Sequence, residues 1–380
     1  MGTSLVFFIC GIGHGTWAPR LAEIKGQIGA SDGELGLSLL MLGVGALIGM
    51  PISGALAGRF GSKTVSSAMA LGHGLVFPLM AFAWSWVSLG IAMLFYGLLI
   101  GSLDVAMNVQ ATEIERQKKK PIMSSFHGVY SVGDMTGALL TGLVATLAIG
   151  LAPHFLLVSV VLLLVGLGGC WTMIRDQKAE PAGAGPAFVR PSGILILIGL
   201  IAFAALVAEG SVGDWSAIYL NEHQGADTKT AAIALTVFAL AMAIMRFAGD
   251  HLVARFGPFT ILQAGGLLAA TGLTVALLTK SPTVAILGYG ISGLGVAVLF
   301  PVALSIAPRF SGLSASASVA AVATLGYGGF LIGPPVIGLA ADQIGLPLAL
   351  GLVVLLLIAT LPAMWLMSRR VAGDQRLVSH

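Results

Sequence analysis

The sequence predicts an all-α membrane protein: twelve transmembrane helices in two pseudo-symmetric six-helix bundles. Three observations predict it. First, 57% of the 380 residues are hydrophobic and only 9% are charged, with a mean hydropathy of +0.97. A soluble domain carries about 25% charged residues, so this chain cannot cover itself with a water-compatible surface. Its main solvent is the bilayer. Second, a crossing helix needs about 20 apolar residues, and the chain holds twelve such stretches. Third, the turn Arg59-Phe60-Gly61, which lies in GALAGRFGSK (54–63), returns as Arg255-Phe256-Gly257 at the end of DHLVARFG (250–257). The two arginines are 196 residues apart (255 − 59), close to half the chain. A turn repeated at that distance indicates a duplicated unit.

The first six spans are expected at 4–22, 35–58, 65–87, 89–112, 122–148 and 153–174. The first lacks a basic leader and runs into Gly-His-Gly-Thr-Trp, so it reads as a retained helix, not a cleaved signal. Ser31-Asp32-Gly33-Glu34 has the form of a capping box opening the second span. The Arg-Phe-Gly turn closes the second span and leads into the third. The basic run 116–120 separates the fourth from the fifth. Residues 175–191 are polar and rich in Pro, Gly and Ala, a linker composition. The chain therefore divides into a bundle at 1–174, a cytoplasmic linker at 175–191 and a second bundle at 192–380. The second bundle's spans are expected at 193–219, 229–251, 258–279, 283–307, 315–341 and 346–368. All are helices, because lipid offers the backbone no hydrogen-bond partner. The stretches are too long and too weakly alternating for barrel strands.

Charge sets the orientation. Lys and Arg gather in alternate connections: Arg59 and Lys63; Arg116, Lys118, Lys119 and Lys120; Arg175, Lys178 and Arg190; Arg255; Arg309; and Arg369, Arg370 and Arg376. The other connections hold Arg20, Lys25, Lys229 and Lys280. The positive-inside rule puts both termini in the cytoplasm. Apolar spans flank the run 116–120, which argues against nucleic-acid binding. Cys10 and Cys170 lie far apart in apolar spans, so no disulfide framework is indicated.

The duplication extends past the turn. Gly15-Thr16-Trp17 parallels Gly213-Asp214-Trp215. Tyr96-Gly97 parallels Tyr289-Gly290, and Gly133, Gly137 and Gly142 parallel Gly329, Gly333 and Gly338. Over essentially its whole length the chain resembles the major facilitator superfamily. That family's loop after the second span reads Gly-x-Leu-Ala-Asp-Arg-x-Gly-Arg-Lys. Gly54, Leu56, Ala57, Arg59, Gly61 and Lys63 match it, with Gly58 in place of the acid and Ser62 in place of the second base. Trp17-Ala18-Pro19-Arg20, Asp104 to Asn108, Ser125-Phe126-His127, Glu209 to Trp215 and Gly333-Pro334-Pro335 resemble a bacterial branch related to fucose-type sugar permeases. The resemblance implies a secondary transporter of the bacterial inner membrane. Parallel six-helix repeats put the binding cavity between the halves, near mid-membrane.

An ionisable side chain inside a span marks function by default. Gly97, Gly101, Asp104 and Asn108 share a helix face. Glu209 lies near the middle of its span and shares a stripe with Gly213 and Ser216. Glu209, Asp104 and His127 are the expected proton-coupling groups; Asp104 also reads as a substrate hydrogen-bond acceptor, and a structural tie between helices is the alternative for Asp104 and His127. Cys10, His14 and Trp17 share one face, and His127, Ser131 and Asp134 another. His14, Trp17, Asn108, Tyr130, Ser131, Trp215, Tyr219 and Tyr327 are the expected substrate contacts, the aromatics offering flat faces to a sugar-like ring. Arg59, Asp214, Arg246, Asp250 and Arg255 are the expected gating residues, with Arg246 and Asp250 four apart and able to pair. His73, without polar company on its face, is expected to pack.

No His, Cys or Asp set has metal spacing, no phosphate-binding Gly-x-x-x-x-Gly-Lys-Ser/Thr loop occurs, and no nucleophile–base pair suggests an enzyme. Neither metal nor cofactor is expected. The function expected is proton-coupled movement of a small polar organic solute, sugar-like or an organic acid, by alternating access. The expected form is a monomer whose partners are that solute, protons and the bilayer. The rival reading is proton-driven export of amphipathic drugs or metabolites. The acid lost at Gly58 predicts a weak cytoplasmic latch and an inward-open bias.

Overall fold

The computed structural model describes residues 1–118, 123–174, 193–310 and 315–378. The expected linker lies outside them. Twelve long helices follow: α1 Gly2–Trp17, α2 Asp32–Phe60, α3 Ser62–Val76, α4 Trp86–Lys118, α5 Met123–Thr146, α6 Leu151–Thr172, α7 Gly193–Gln224, α8 Thr228–Phe256, α9 Pro258–Leu278, α10 Pro282–Ile306, α11 Ala315–Ile344 and α12 Leu346–Val378. Ten have the length and apolar composition to cross a bilayer. The two that fall short carry polar residues of the site described below. α1 has only 16 residues, and α5 holds His127, Ser131, Asp134 and Thr136.

Prolines moved two expected boundaries. The first span was expected to run to residue 22, but α1 stops at Trp17. Pro19 lies in a 3₁₀ turn, Ala18–Arg20, and a separate connecting helix, Leu21–Ile28, follows. The third span was expected to be helical to residue 87. Instead it tightens to 3₁₀ geometry over Phe77–Phe82, where Pro78 supplies no N–H.

The duplication is built into the backbone at one offset. Gly61 and Gly257 both take positive φ, 86° and 81°. Their amides close the preceding helices onto Ala57 and Val253 at 2.9 Å. Arg59 sits over Phe60 and Arg255 over Phe256, each 5.2 Å from the ring centre. The N-caps match as well: Ser31 forms the expected capping box with Glu34, and Asp227 accepts from the Thr230 amide at 2.9 Å. One expected parallel shifts. Gly97 corresponds to Gly293, not Gly290, because the two press against equivalent carbonyls, those of Leu42 and Phe238.

The halves meet along α5 with α8 and along α2 with α11. At the end of the molecule opposite the N-terminus they are tied. Lys25 Nζ, on the connecting helix, donates to Asp32 and to Glu222 of α7, both at 2.6 Å. Ser31 Oγ donates to Asp342 of α11 at 2.9 Å. At the N-terminal end Gly54 and Gly58 face open space.

Candidate functional site

A charge at mid-membrane must be paired or face water. The chain does this by bringing polar residues from both halves to one interface. α5 carries Ser131 and Asp134, both buried, three positions apart and so on one face. α1 comes close to that face because Gly11 and Gly15 lack side chains. A Cβ on either would run into the backbone carbonyl of Tyr130 or Asp134. The close approach leaves His14 Nδ1 2.8 Å from Asp134 Oδ1.

From the other half, α8 sends Arg246 to the same face. One guanidinium nitrogen donates to Ser131 Oγ at 2.9 Å. A second lies 3.1 and 3.4 Å from the carboxylate oxygens of Glu209 on α7. Ser131 donates its own proton to the His127 carbonyl at 3.3 Å, so its lone pairs remain free to accept from Arg246. A polar chain thus crosses between the halves: His14 bonds Asp134, Ser131 lies one turn away on the same face, and Arg246 bonds both Ser131 and Glu209. The Glu209 and Arg246 side chains are 23% and 26% exposed, open to water without being surface groups. The His14 ring also lies against Gly213 of α7, where an added Cβ would sit 3.3 Å from it.

Other expected residues join this interface. Asn108 donates to the Asp104 carboxylate at 3.1 Å and to its carbonyl at 2.8 Å. Trp17 is buried, its ring edge-on to His14 at 5.3 Å. Tyr130 lies among Asp134, Tyr96 and Glu209. Tyr327 lies within electrostatic reach of Asp104 and Glu209, its ring set against Phe300 at 5.5 Å. His127 is edge-on to Phe7 at 5.4 Å with its imidazole exposed. Asp214 lies beyond Glu209 toward the tied end, with His14 close by.

Others do not join it. Tyr219 donates to the Leu277 carbonyl of α9 at 2.6 Å, and Trp215 is fully buried in the apolar core. Arg59 and Arg255 remain at the N-terminal end over their phenylalanines. Arg246 reaches Glu209 and Ser131; the side chain of Asp250, with which it was also expected to pair on its own helix, lies outside the described residues. His73 packs as expected and also meets the Tyr96 hydroxyl at 3.2 Å. Sequence reasoning gave no role to Asp134 or Phe300. Asp134 did carry a signal, its place on the His127–Ser131 stripe. Phe300 carried none. A separate cavity of about 390 Å³ lies at the N-terminal end of the first half, lined by Met1, Thr3, Lys118, Phe126 and Thr172 among others, away from the polar chain.

Residues 3–328 and 197–378 match the family model of the Major Facilitator Superfamily. The chain is 36% identical over 359 residues to an uncharacterized transporter of that type from Yersinia pestis, covering 94% of this chain and 93% of the relative. In structure it is similar to a bacterial homolog of the human lysosomal transporter Spinster in an inward-facing, occupied conformation. That match has a TM-score of 0.78 at 17% identity and covers 97% and 96% of the two chains. It is also similar to the nucleoside transporter NupG, with a TM-score of 0.74 at 13% identity and 96% and 98% coverage. At such identities the two structural likenesses show the fold alone.

Proposed function

The chain belongs to the Major Facilitator Superfamily, and from that premise we propose that it carries a small polar organic solute across the bacterial inner membrane by alternating access, coupled to protons, with both termini cytoplasmic. The observation that carries this reading is the polar chain from His14 to Glu209. Its members come from both halves, so rocking one half against the other must remake its contacts. A cavity with this lining suits a hydroxylated solute better than an amphipathic one.

Glu209 is the coupling acid in this reading. Protonating it breaks its salt bridge and frees Arg246, which also holds Ser131 of the opposite half. Proton uptake and the grip between the halves are then one event. The Ser131 hydroxyl, Tyr130 and Asn108 offer hydrogen bonds to the solute.

The test uses purified protein in liposomes that enclose a pH-sensitive dye, challenged with a panel of labelled sugars and polyols under an imposed proton gradient. Wild type is expected to concentrate one compound class and to move protons with it. Glu209→Gln is expected to lose accumulation while keeping downhill exchange. If Glu209→Gln accumulates solute as well as wild type does, proton coupling through Glu209 is wrong.

A further inference from the structure

The central interface is not charge-balanced among the described residues. It gathers the carboxylates of Asp104, Asp134, Glu209 and Asp214 against the guanidinium of Arg246 and the imidazoles of His14 and His127. Asp134 is held by His14 and Glu209 by Arg246. Asp214 has His14 close by. Among the described residues Asp104 has no cationic partner; its hydrogen bond comes from the neutral amide of Asn108, one turn along its own helix. An uncompensated carboxylate at that depth is costly. What compensates it is either a proton or a cation that arrives with the solute.

Across the interface from α4 stands an aromatic pair. Tyr327 on α11 is 46% exposed although it lies well inside its helix, so open space fronts the ring. Phe300 of α10 packs against it at an interplanar angle of 61°. Gly326 leaves the room that Phe300 fills, since a Cβ there would strike the ring. A carboxylate within electrostatic reach of an exposed aromatic face is an arrangement that holds an ammonium group: the carboxylate supplies charge and the ring supplies cation–π attraction.

We propose that the solute of the central cavity carries an ammonium group, seated between the Asp104 carboxylate and the Tyr327 ring. This deepens the transporter reading, on which it rests for the location of the cavity. It selects an aminated polar solute over a neutral sugar or an organic acid. The organic acid would set a second negative charge beside Asp104.

Glucosamine, glucose and glucuronate share one ring and differ in charge, so they are the probes. Thermal stabilisation of the purified full chain is read for each at slightly acidic pH, where the amine is charged, because a ligand of the folded state raises Tm. Glucosamine is expected to stabilise most. Asp104→Asn is expected to weaken its apparent affinity by about ten- to a hundredfold, the range for a hydrogen bond to a charged group. Tyr327→Leu is expected to weaken it by about two- to thirtyfold, and Tyr327→Phe to restore it. The unliganded Tm of each variant shows whether it is folded. If the Asp104→Asn protein is not folded, the two Tyr327 variants decide alone.

The proposal is overturned if glucose or glucuronate stabilises as much as glucosamine, or if glucosamine gives no shift. It is also overturned if the preference for glucosamine survives Asp104→Asn, which would make Asp104 a proton site. Counterflow in liposomes separates this proposal from the reading beneath it. Amine-selective binding with no movement would sink transport and leave the site. Movement of glucose or glucuronate that is indifferent to Asp104→Asn would keep transport and sink the site.

Discussion

Arg246 bonds to Glu209, a carboxylate on the neighbouring helix. The acid legible in sequence, Asp250, is four residues along its own helix. Such an i, i+4 pair contributes only a few tenths of a kcal/mol in an isolated helix. At an interface between helices, leaving a partly buried carboxylate unpaired costs more than the roughly 1–3 kcal/mol of a neutral group, so the cation opposite Glu209 carries more weight than a pair along one helix. Sequence spacing reports which side chains share a face but not what stands opposite it. For the same reason the stripes carrying Glu209, Asp104 and Ser131 were legible and the Arg246–Glu209 and His14–Asp134 bonds were not. The pairing makes a prediction. Arg246→Met leaves Glu209 without its cation and should lower the Tm. Adding Glu209→Gln should recover part of that loss, because the orphaned charge is gone. A double variant less stable than the additive sum of the two singles would show that the pair does not hold.

The helices themselves were legible because composition and length decide them. Their ends were less so. Pro19 and Pro78 end or tighten helices that apolar composition alone would extend. The repeat was legible as a motif, yet its true register emerged only from which glycines meet a neighbouring backbone. Gly97 and Gly293 press on the carbonyls of Leu42 and Phe238, while Gly54 and Gly58 of α2 face open space. The two pairs should respond oppositely to the same change. Gly97→Ala or Gly293→Ala forces two helices apart and should cost about 1–3 kcal/mol, the usual range for overpacking. Gly54→Ala and Gly58→Ala meet nothing. They should leave stability unchanged or raise it by about 0.4–1 kcal/mol through the less flexible unfolded chain. Thermal unfolding of the four single variants in one detergent checks this. Equal losses at all four positions would refute the packing register.

On the scale of the whole molecule, polar ties join the halves at one end. The end opposite the N-terminus carries Lys25 with Glu222 and Ser31 with Asp342, and the N-terminal end has open space at the Gly54–Gly58 turn of helix. Alternating access requires the tied end to open in the opposing state, so these bonds must be weak enough to break in each cycle. Glu222 is 36% exposed at its side chain, which puts the Lys25 pair in the range of about 0–1 kcal/mol. Removing it should therefore shift the balance between states by up to about fivefold, since 1.4 kcal/mol corresponds to about tenfold. Burial by itself would depress the Lys25 ammonium, but its hydrogen bonds to Asp32 and Glu222 outweigh that and hold it above its ordinary range. A group raised on folding stabilises fully below its ordinary pKa and loses that contribution only as pH climbs through the raised value. The Lys25 side of the latch should thus be constant through neutral pH and fail only in strong alkali. Ser216, buried on the α7 stripe with Glu209, reports on opening once it is made a cysteine in a chain lacking Cys10 and Cys170. With an impermeant maleimide added from the latch side, Lys25→Met should speed its labelling by up to about fivefold at neutral pH. An unchanged or slower rate would mean that the α2–α11 packing, not the ion pair, holds that end shut.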